Sequence, residues 1–526
     1  MGRGGLLLAA LVAALGGALA ACAAAAPPAA RPSALISTRL RRLSNVEYER
    51  SASRLLGVEA AIRAQLPPDE RQDGYAINER QAVPSYFASE LATVAERLTQ
   101  RVFAQRSSSV WPCSDADAAG SACVQQALAR LAESAWRRPA SGAEVAALSA
   151  LFTSGGAPLV VSTLLTSPGM LYLSELGDGS TDARGVSVLS SYEIASSLAY
   201  AVSGGPPDRE LLALAAEKGR LLEPAQREAQ ARRLLTLSST REHFREFVLE
   251  WLEVDQLERT AKAAALVPDY DETKRHMLEE TSAFVDEVMV HDGASLRSLL
   301  SAGFTSPDAT MAVYYGISGF AGPRVSLARQ RRVGVLEQAS FLSAHAYEDV
   351  TSPVKRGDFV LRRVLCVDLP RPGELGIDTT LPPRDPHATT RAHFAAHTSS
   401  ATCRACHDSI DPLGFSFEGF DAGGRRRTRE HGQPVVTSGG LTFGGRKLAF
   451  ADSAELSTQL SALPESRACF AKQALRYLTG RRAPELERWF GDLVGTLPVA
   501  QRDSLLEWVV AWVRSPEFVL RRHSDE

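Results

Sequence analysis

Apolar residues recur at helical spacing along most of the chain, and this pattern predicts a mainly α-helical protein. In one such segment Phe87, Leu91 and Leu98 share one face of a predicted helix. Strand signals are confined to the C-terminal third, where residues 435–450 alternate around two Gly-Gly pairs and predict a β-hairpin. The predicted fold class is therefore mainly α, a multi-module helical protein with one small β-hairpin.

Helix-capping residues indicate where several helices begin or end, because they form hydrogen bonds with the backbone groups left unpaired in the terminal turn. Ser44 or Asn45 caps a helix with an acidic first turn, and Gly57 ends the same helix. Ser141 and Glu144 have the spacing of a capping box. These signals predict the starts of two helices in the N-terminal part of the chain.

The first residues have the features of an export signal. Arg3 precedes an apolar run from Leu6 to Leu19, which is too short for a membrane span and ends in small residues. The following Ala20-Ala21-Cys22 looks like the lipobox of bacterial lipoproteins, in which the cysteine thiol is lipidated. An ordinary signal peptide with an incidental Cys22 is the alternative. We expect an exported protein that is lipid-anchored in the bacterial cell envelope, in the periplasm or at the outer membrane.

Cys403, Cys406 and His407 form a C-x-x-C-H motif, which is the attachment signature of c-type haem. Two cysteines three positions apart present both thiols to one edge of a porphyrin, where each can add to a vinyl group. His407 is then placed to bind the iron as the proximal ligand. Covalent haem attachment takes place outside the bacterial cytoplasm, so the export signal and the motif support each other. The motif favours electron transfer as the function.

The other cysteines fit two disulfide bonds. With Cys22 assigned to lipid and the motif cysteines to haem, four of the seven cysteines remain, and an oxidising compartment would pair them. Cys113 and Cys123 bracket a short polar loop, which predicts a local bond. Cys366 and Cys469 would form a long-range bond across the haem segment, with a buried free thiol as the alternative for either residue.

The second axial ligand of the iron is not evident. Small cytochromes c take a methionine from the C-terminal side, but the last methionine here lies upstream of the motif. His397 is the first choice because it is close to the motif in sequence. An open site with no protein ligand would bind peroxide or oxygen and permit catalysis. The remaining candidates are His393, His431, His523, Met289 and Met311.

Several residues have a second interpretation. The cysteine pair could form a disulfide, or a zinc site completed by His393 and His397. Pro412 is a candidate to orient the proximal imidazole through its carbonyl. The basic run 425–427 could neutralise haem propionates, although a solvated turn is the favoured interpretation.

The sequence before residue 320 contains no motif that indicates a catalytic or binding site. His276 and Glu280 are four residues apart on a predicted helix, a spacing that could hold a metal ion. The sequence offers no evident third ligand, so a contact between the two side chains on the surface is the favoured interpretation.

Composition limits the classes of protein that remain. Hydrophobic residues make up 45% of the chain and charged residues 23%, which is ordinary for a folded soluble protein. The net charge is −3 and no basic face stands out, so a nucleic-acid partner is excluded. No second apolar run reaches membrane-spanning length, so the folded body is expected to be water-soluble.

Breaks in the pattern divide the chain into predicted segments. They are a lipoprotein signal peptide at 1–21, an Ala/Pro tether at 22–37, an N-terminal helical module at 38–110, a disulfide loop with a helical module at 111–186, a central helical module at 187–325, a cytochrome-c-like haem module at 326–430, and the β-hairpin with C-terminal helices at 431–526.

A series of short motifs runs along nearly the whole mature chain. They are Leu43–Tyr48 with Leu55–Gly57, Trp136–Pro139, Ser191–Ala195, Arg332–Gly334, Thr351–Pro353 with Arg356–Gly357, Cys403–His407 with Asp411–Phe415, Phe420–Asp421, and Cys469–Phe470 with Tyr477–Arg481. In combination they resemble the large exported multidomain proteins that carry a planctomycete-type cytochrome-c-like module. In those proteins several domains of unknown function precede and surround a haem motif.

The resemblance implies an exported, haem-binding protein of unassigned activity, of a kind associated with oxidative breakdown of complex polymers. The sequence as a whole favours electron transfer by one covalently bound haem c. A haem peroxidase or oxygenase with an open axial site is one alternative. A non-redox scaffold or polymer-binding protein of the cell envelope is another. Whether the protein is an enzyme, and which redox partner it uses, stay open.

Overall fold

Helices form most of the chain, which confirms the predicted mainly α fold. The computed structural model describes residues 34–523 apart from 106–108, 115, 320, 321, 323, 371, 376–384, 386 and 398–400, and without the side chains of 372, 375, 395–397, 401 and 402. Its helices are α1 (Asn45–Leu56), α2 (Ser85–Ala104), α3 (Ala122–Trp136), α4 (Gly142–Thr166), α5 (Pro168–Leu171), α6 (Ser191–Ser203), α7 (Arg209–Ala216), α8 (Pro224–Leu234), α9 (Ser238–Trp251), α10 (Tyr270–Asp292), α11 (Leu296–Ser301), α12 (Ala309–Tyr314), α13 (Ala339–Ala344), α14 (Pro353–Phe359), α15 (Thr390–His397), α16 (Ala401–Phe415), α17 (Ser453–Ala462), α18 (Pro464–Thr479), α19 (Pro484–Thr496), α20 (Leu505–Arg514) and α21 (Pro516–Val519).

Strands are short and occur along the whole described chain. They are β1 (Ile36–Ser37), β2 (Arg39–Arg42), β3 (Tyr172–Glu175), β4 (Val186–Val188), β5 (Phe304–Thr305), β6 (Val325–Ser326), β7 (Arg429–Glu430), β8 (Gln433–Pro434), β9 (Gly439–Phe443), β10 (Arg446–Phe450) and β11 (Leu520–Arg522). The predicted hairpin is confirmed as β9 and β10. The prediction that strands are confined to the C-terminal third was wrong, because the additional strands are too short to give an alternating pattern.

The two ends of the described chain meet in a small sheet. β11 lies between β1, to which it is parallel, and β4, to which it is antiparallel. Next to this sheet the carboxylate of Glu175 binds Arg521 and accepts from Arg39 Nε at 2.6 Å. Burial opposes ionisation, but the two guanidinium groups outweigh it and hold the pKa of Glu175 well below its usual range. This ion triad ties the beginning of the fold to its end.

Two main hydrophobic cores hold the helices together. The smaller core packs α1 to α5, and Tyr48 within it donates to the carbonyl of Leu165 at 2.9 Å. The larger core takes in residues from the central, haem and C-terminal segments alike. Phe470 packs there between the rings of Trp251 and Trp508, at centroid distances of 4.9 and 6.0 Å. The predicted haem module is therefore packed into the main body.

Helix caps lie where the sequence predicts them. Ser44 accepts from the backbone N–H of Glu47 in a complete capping box, and Gly57 ends α1 in the left-handed conformation. Ser141 and Glu144 form a second capping box at the start of α4. Both predictions are confirmed.

Both predicted disulfide bonds are confirmed. Cys113 is bonded to Cys123 across the short loop before α3. Cys366 is bonded to Cys469 on α18, across a sequence separation of 103 residues.

Helix α4 is the one helix in the described part of the chain with the length and apolar composition to cross a membrane. Two residues inside it, Gly155 and Gly156, have non-helical dihedral angles, so it consists of two shorter helices that meet at a kink. Its residues Leu148, Val161 and Leu165 are buried in the smaller core. The helix therefore packs on the smaller core along one face.

The buried imidazole of His243 makes the stability of the fold depend on pH. His243 lies on α9 and is 1% exposed. Burial, assisted by the nearby charge of Arg50, lowers the pKa of His243 to about 3. The unfolded chain takes up this proton near pH ~6.5, so the free energy of unfolding falls as the pH is lowered through the interval between the two values.

We expect this group to contribute a slope of about 1.4 kcal/mol per pH unit in that interval. Urea denaturation of the wild type and of His243→Gln at a series of pH values measures it as the difference between the two slopes. Equal slopes in the two proteins would contradict a neutral buried imidazole.

Candidate functional site

Helix α16 carries the C-x-x-C-H motif. Spacings of three and four residues place Cys403, Cys406 and His407 on one face of the helix. All three side chains are half-buried, and Cys406 packs against the edge of the larger core. Neither Cys403 nor Cys406 is in a disulfide bond. Two thiols and an imidazole are thus presented together on one helical turn.

The imidazole of His407 is oriented by a carboxylate one turn further along α16. Nδ1 of His407 lies 2.8 Å from Oδ1 of Asp411, and the two side chains are 15% and 12% exposed. Pro412, predicted to orient His407 through its carbonyl, lies inside the helix next to Asp411. That role for Pro412 stays a prediction, and the bond that the structure gives to Nδ1 comes from Asp411. A carboxylate acceptor fixes the tautomer of an imidazole and raises the basicity of its other nitrogen.

A close crossing with α14 holds α16 in place. Gly357 on α14 faces the backbone of Ile410, and Gly414 on α16 faces the backbone of Pro353. A Cβ atom added at either glycine would lie closer than 3.0 Å to a carbonyl oxygen of the other helix. Only glycine at both positions permits this backbone contact.

A buried charge network connects α14 with the segment that follows α16. Arg356 is fully buried and donates to the carbonyl of Leu342 at 2.9 Å. Glu418 accepts from Arg427 at 2.6 Å and from Thr351 at 2.8 Å. Burial raises the pKa of Glu418, while Arg356 and Arg427 oppose this shift. Thr351 and Arg356, which belong to the motifs named above, therefore have a structural role.

The candidate distal ligands have different surroundings. Met311 is buried in a small core that contains none of the motif residues, and Met289 is buried in the larger core. His523 contacts Ser187 at 2.6 Å, and His393 packs edge-on to Phe394. His431 is exposed. The side chain of His397, the first choice, lies outside the described residues, so this choice and the zinc alternative stay untested.

His276 and Glu280 have separate partners. His276 binds Asp308 through Nδ1. Glu280 is buried, binds Thr305, and accepts from the hydroxyl of Tyr315 at 2.6 Å. Burial raises the pKa of Glu280 to about 7. The surface contact predicted for this pair was therefore wrong for Glu280, which is a core residue.

The three basic residues predicted to form a solvated turn have different environments. Arg427 belongs to the buried network with Glu418 and Glu430. Arg425 donates to the carbonyl of Leu266 at 3.0 Å, and Arg426 is exposed. The solvated-turn interpretation therefore fits Arg426 and not Arg427.

Asp411 belongs to the site but was not among the residues predicted from the sequence. Its spacing of four residues from His407 was a visible signal, because residues i and i+4 are neighbours on a helix. Pro412 follows Asp411, and the helix continues past this proline to Phe415.

Four family models match consecutive parts of the chain. They are PSD3, protein of unknown function DUF1587, at 41–104; PSD5, DUF1595, at 123–175; PSD4, DUF1592, at 189–317; and PSCyt3, DUF1588, at 332–430. The chain is a multidomain protein built from domains of unknown function. This confirms the part of the resemblance that concerns the series of domains. No curated protein and no solved structure gives a significant match.

Proposed function

We propose that the protein is an exported c-type cytochrome-like carrier that holds one haem covalently and transfers electrons. Cys403 and Cys406 would hold the haem through thioether bonds, and His407 would bind its iron through Nε2. Bound haem supplies one-electron chemistry that side chains lack. The observation that carries the proposal is the presentation of two thiols and an imidazole on one turn of α16, outside the disulfide bonds.

The donor set fits haem better than the alternatives. Cys403 and Cys406 are not joined by a disulfide bond in the structure. A closed zinc site needs four ligands, and the nearest histidines in sequence belong to α15. The PSCyt3 match spans the motif, and its name gives further support for a cytochrome-like role.

Export is part of the same proposal, because covalent haem attachment takes place outside the bacterial cytoplasm. Residues 1–21 would direct export, and Cys22 would anchor the mature chain in the envelope through its lipidated thiol. Both lie outside the described residues. Release of the protein from membranes on Cys22→Ser substitution would separate a lipoprotein from a soluble exported protein.

The decisive test is covalent haem content after expression with a haem-maturation system. We expect one haem per chain that survives denaturation, and none in Cys403→Ala/Cys406→Ala. Cys113→Ala/Cys123→Ala is the matched control, since it also removes two cysteines but should keep the haem. A colourless wild type, from a host that matures a reference cytochrome, would overturn the proposal and leave a non-redox envelope protein.

The bond between Asp411 and His407 favours a second candidate function, a haem peroxidase or oxygenase. An imidazole that donates to a carboxylate is a stronger electron donor to iron, which stabilises the oxidised metal and lowers the reduction potential. A low potential suits oxygen or peroxide chemistry better than exchange with high-potential carriers. The spin state of the ferric protein separates the two, since a six-coordinate low-spin spectrum indicates a carrier and a five-coordinate high-spin spectrum indicates an open site.

Replacing Asp411 by asparagine tests the bond to His407 directly. In Asp411→Asn we expect the haem to remain attached and the midpoint potential to rise by about 60 mV, equivalent to a tenfold change for a one-electron couple. Asp408→Asn, an exposed carboxylate on the same helix, removes the same charge and should shift the potential much less. Equal shifts in the two variants would indicate a general charge effect.

A further inference from the structure

A cavity of about 880 Å³ lies between the end of α12, β6 and the turn that follows Asp421. Its volume is that of a site for a small molecule. The motif residues Cys403, Cys406 and His407 are not among the residues that line it. The cavity is therefore separate from the site proposed for haem.

The wall of this cavity is strongly basic. Among the described residues that line it there is no aspartate or glutamate, and five are arginines, namely Arg324, Arg329, Arg332, Arg425 and Arg426. Elsewhere the buried arginines Arg41 and Arg521 each bind a carboxylate. Within the part of the chain that the structure describes, none of the five cavity arginines has a carboxylate within ion-pair distance. The carboxylates of Glu280, Glu337 and Asp452 interact with Arg332 or Arg426 only at longer range, and none of them lines the cavity.

Aromatic rings and backbone carbonyls fix several of these guanidinium groups. Arg332 is 4% exposed, lies over the rings of Tyr315 and Phe420 at 4.4 and 4.6 Å, and donates to two carbonyls. Arg425 lies 4.8 Å from the ring centre of Tyr314. Such stacking leaves guanidinium charge uncompensated, because an aromatic face attracts a cation without neutralising it. The positive wall is thus pre-organised.

The carboxylates of Asp421 and Glu280 are engaged by other groups near this wall. Asp421 accepts from the backbone N–H groups of Gly423 and Arg425 at 2.9 and 2.8 Å, which shapes the turn. Glu280 accepts from the hydroxyl of Tyr315, and burial raises its pKa to about 7. Neither residue lines the cavity. An added anion would meet arginines without competition from a lining carboxylate.

We propose that this cavity binds a small ligand that carries two or more oxyanion groups, phosphate, sulfate or carboxylate. Arginine binds each of these groups in a bidentate manner, and several arginines on one wall select for more than one group. The ring of Tyr314 and the side chain of Ile317 supply an apolar surface for the body of the ligand. This inference does not depend on the haem proposal, since Cys403, Cys406, His407 and Asp411 do not line the cavity.

Isothermal titration calorimetry of the full chain with pyrophosphate, citrate, sulfate and neutral glycerol tests the proposal. We expect saturable binding of pyrophosphate and citrate, weaker binding of sulfate and none of glycerol, with affinities that fall as salt is added. The ratio of pyrophosphate to citrate affinity distinguishes a phosphate from a carboxylate ligand. Binding of glycerol alone, or of no probe, would overturn the proposal.

Arg329→Ala/Arg426→Ala removes two exposed arginines of the wall and is expected to fold normally. We expect this variant to bind pyrophosphate at least about tenfold more weakly, since a hydrogen bond to a charged group contributes that much or more. Arg488→Ala, an exposed arginine of α19 that does not line the cavity, is the control and should bind as the wild type does. Equal affinities in all three proteins would place the anion elsewhere and overturn the proposal.

Discussion

Replacing Gly414 with alanine is expected to lower the free energy of unfolding by about 3 kcal/mol or more. The added methyl group would meet the carbonyl oxygen of Pro353 at a distance that Cβ atoms do not adopt in proteins. Removing this steric clash would require α14 and α16 to move apart. α14 is held by the buried Arg356, and α16 by buried residues such as Leu413, so neither helix can shift without loss of core contacts.

Urea denaturation of Gly414→Ala measures this effect, and Gly357→Ala should give a similar loss because its Cβ would meet the carbonyl oxygen of Ile410. Gly491→Ala is the matched control, since this glycine also lies inside a helix but has open space around it. At position 491, alanine should raise the free energy of unfolding by about 0.5–1 kcal/mol because it has a better helix propensity than glycine. A loss at Gly491 as large as at Gly414 would contradict the steric explanation.

The features of the fold that could be predicted from the sequence are those set by residues close together in the chain. The caps at Ser44 and Ser141 and the hairpin of β9 and β10 depend on residues close together in the chain, and all are confirmed. The sequence from Arg332 to Gln338 also predicts the start of a helix that runs to about His345, and this prediction of one continuous helix was wrong. A 3₁₀ turn and α13 replace it, because Arg332 binds the carbonyl of Glu337 that a continuous helix would use. Such a tertiary contact overrides local propensity.

The candidate site was predictable only in part. The spacing of Cys403, Cys406 and His407 is a local pattern that the sequence carries by itself. The role of Asp411 required knowledge that α16 continues through Pro412. The basic cavity could not be predicted, because its arginines come from two segments about a hundred residues apart in the chain, and only tertiary packing brings them together.

The Cys366–Cys469 bond is expected to contribute about 4.7 kcal/mol to the free energy of unfolding, because it closes a loop of roughly a hundred residues in the unfolded chain. The Cys113–Cys123 bond closes a short loop and should contribute only about 2.7 kcal/mol by the same reasoning. Cys366→Ala/Cys469→Ala and Cys113→Ala/Cys123→Ala remove one bond each. Urea denaturation of the two double variants without reductant measures the difference between these contributions.

The two double variants also distinguish an effect on stability from an effect on haem attachment. The loop closed by Cys366–Cys469 contains the whole C-x-x-C-H motif, and the loop closed by Cys113–Cys123 does not. If the long bond acts by restricting the unfolded chain, Cys366→Ala/Cys469→Ala loses more stability but still acquires haem when it folds. Equal losses in the two double variants would contradict the loop-length argument. A variant that folds to wild-type stability without haem would instead show that this bond holds α16 in the conformation needed for attachment.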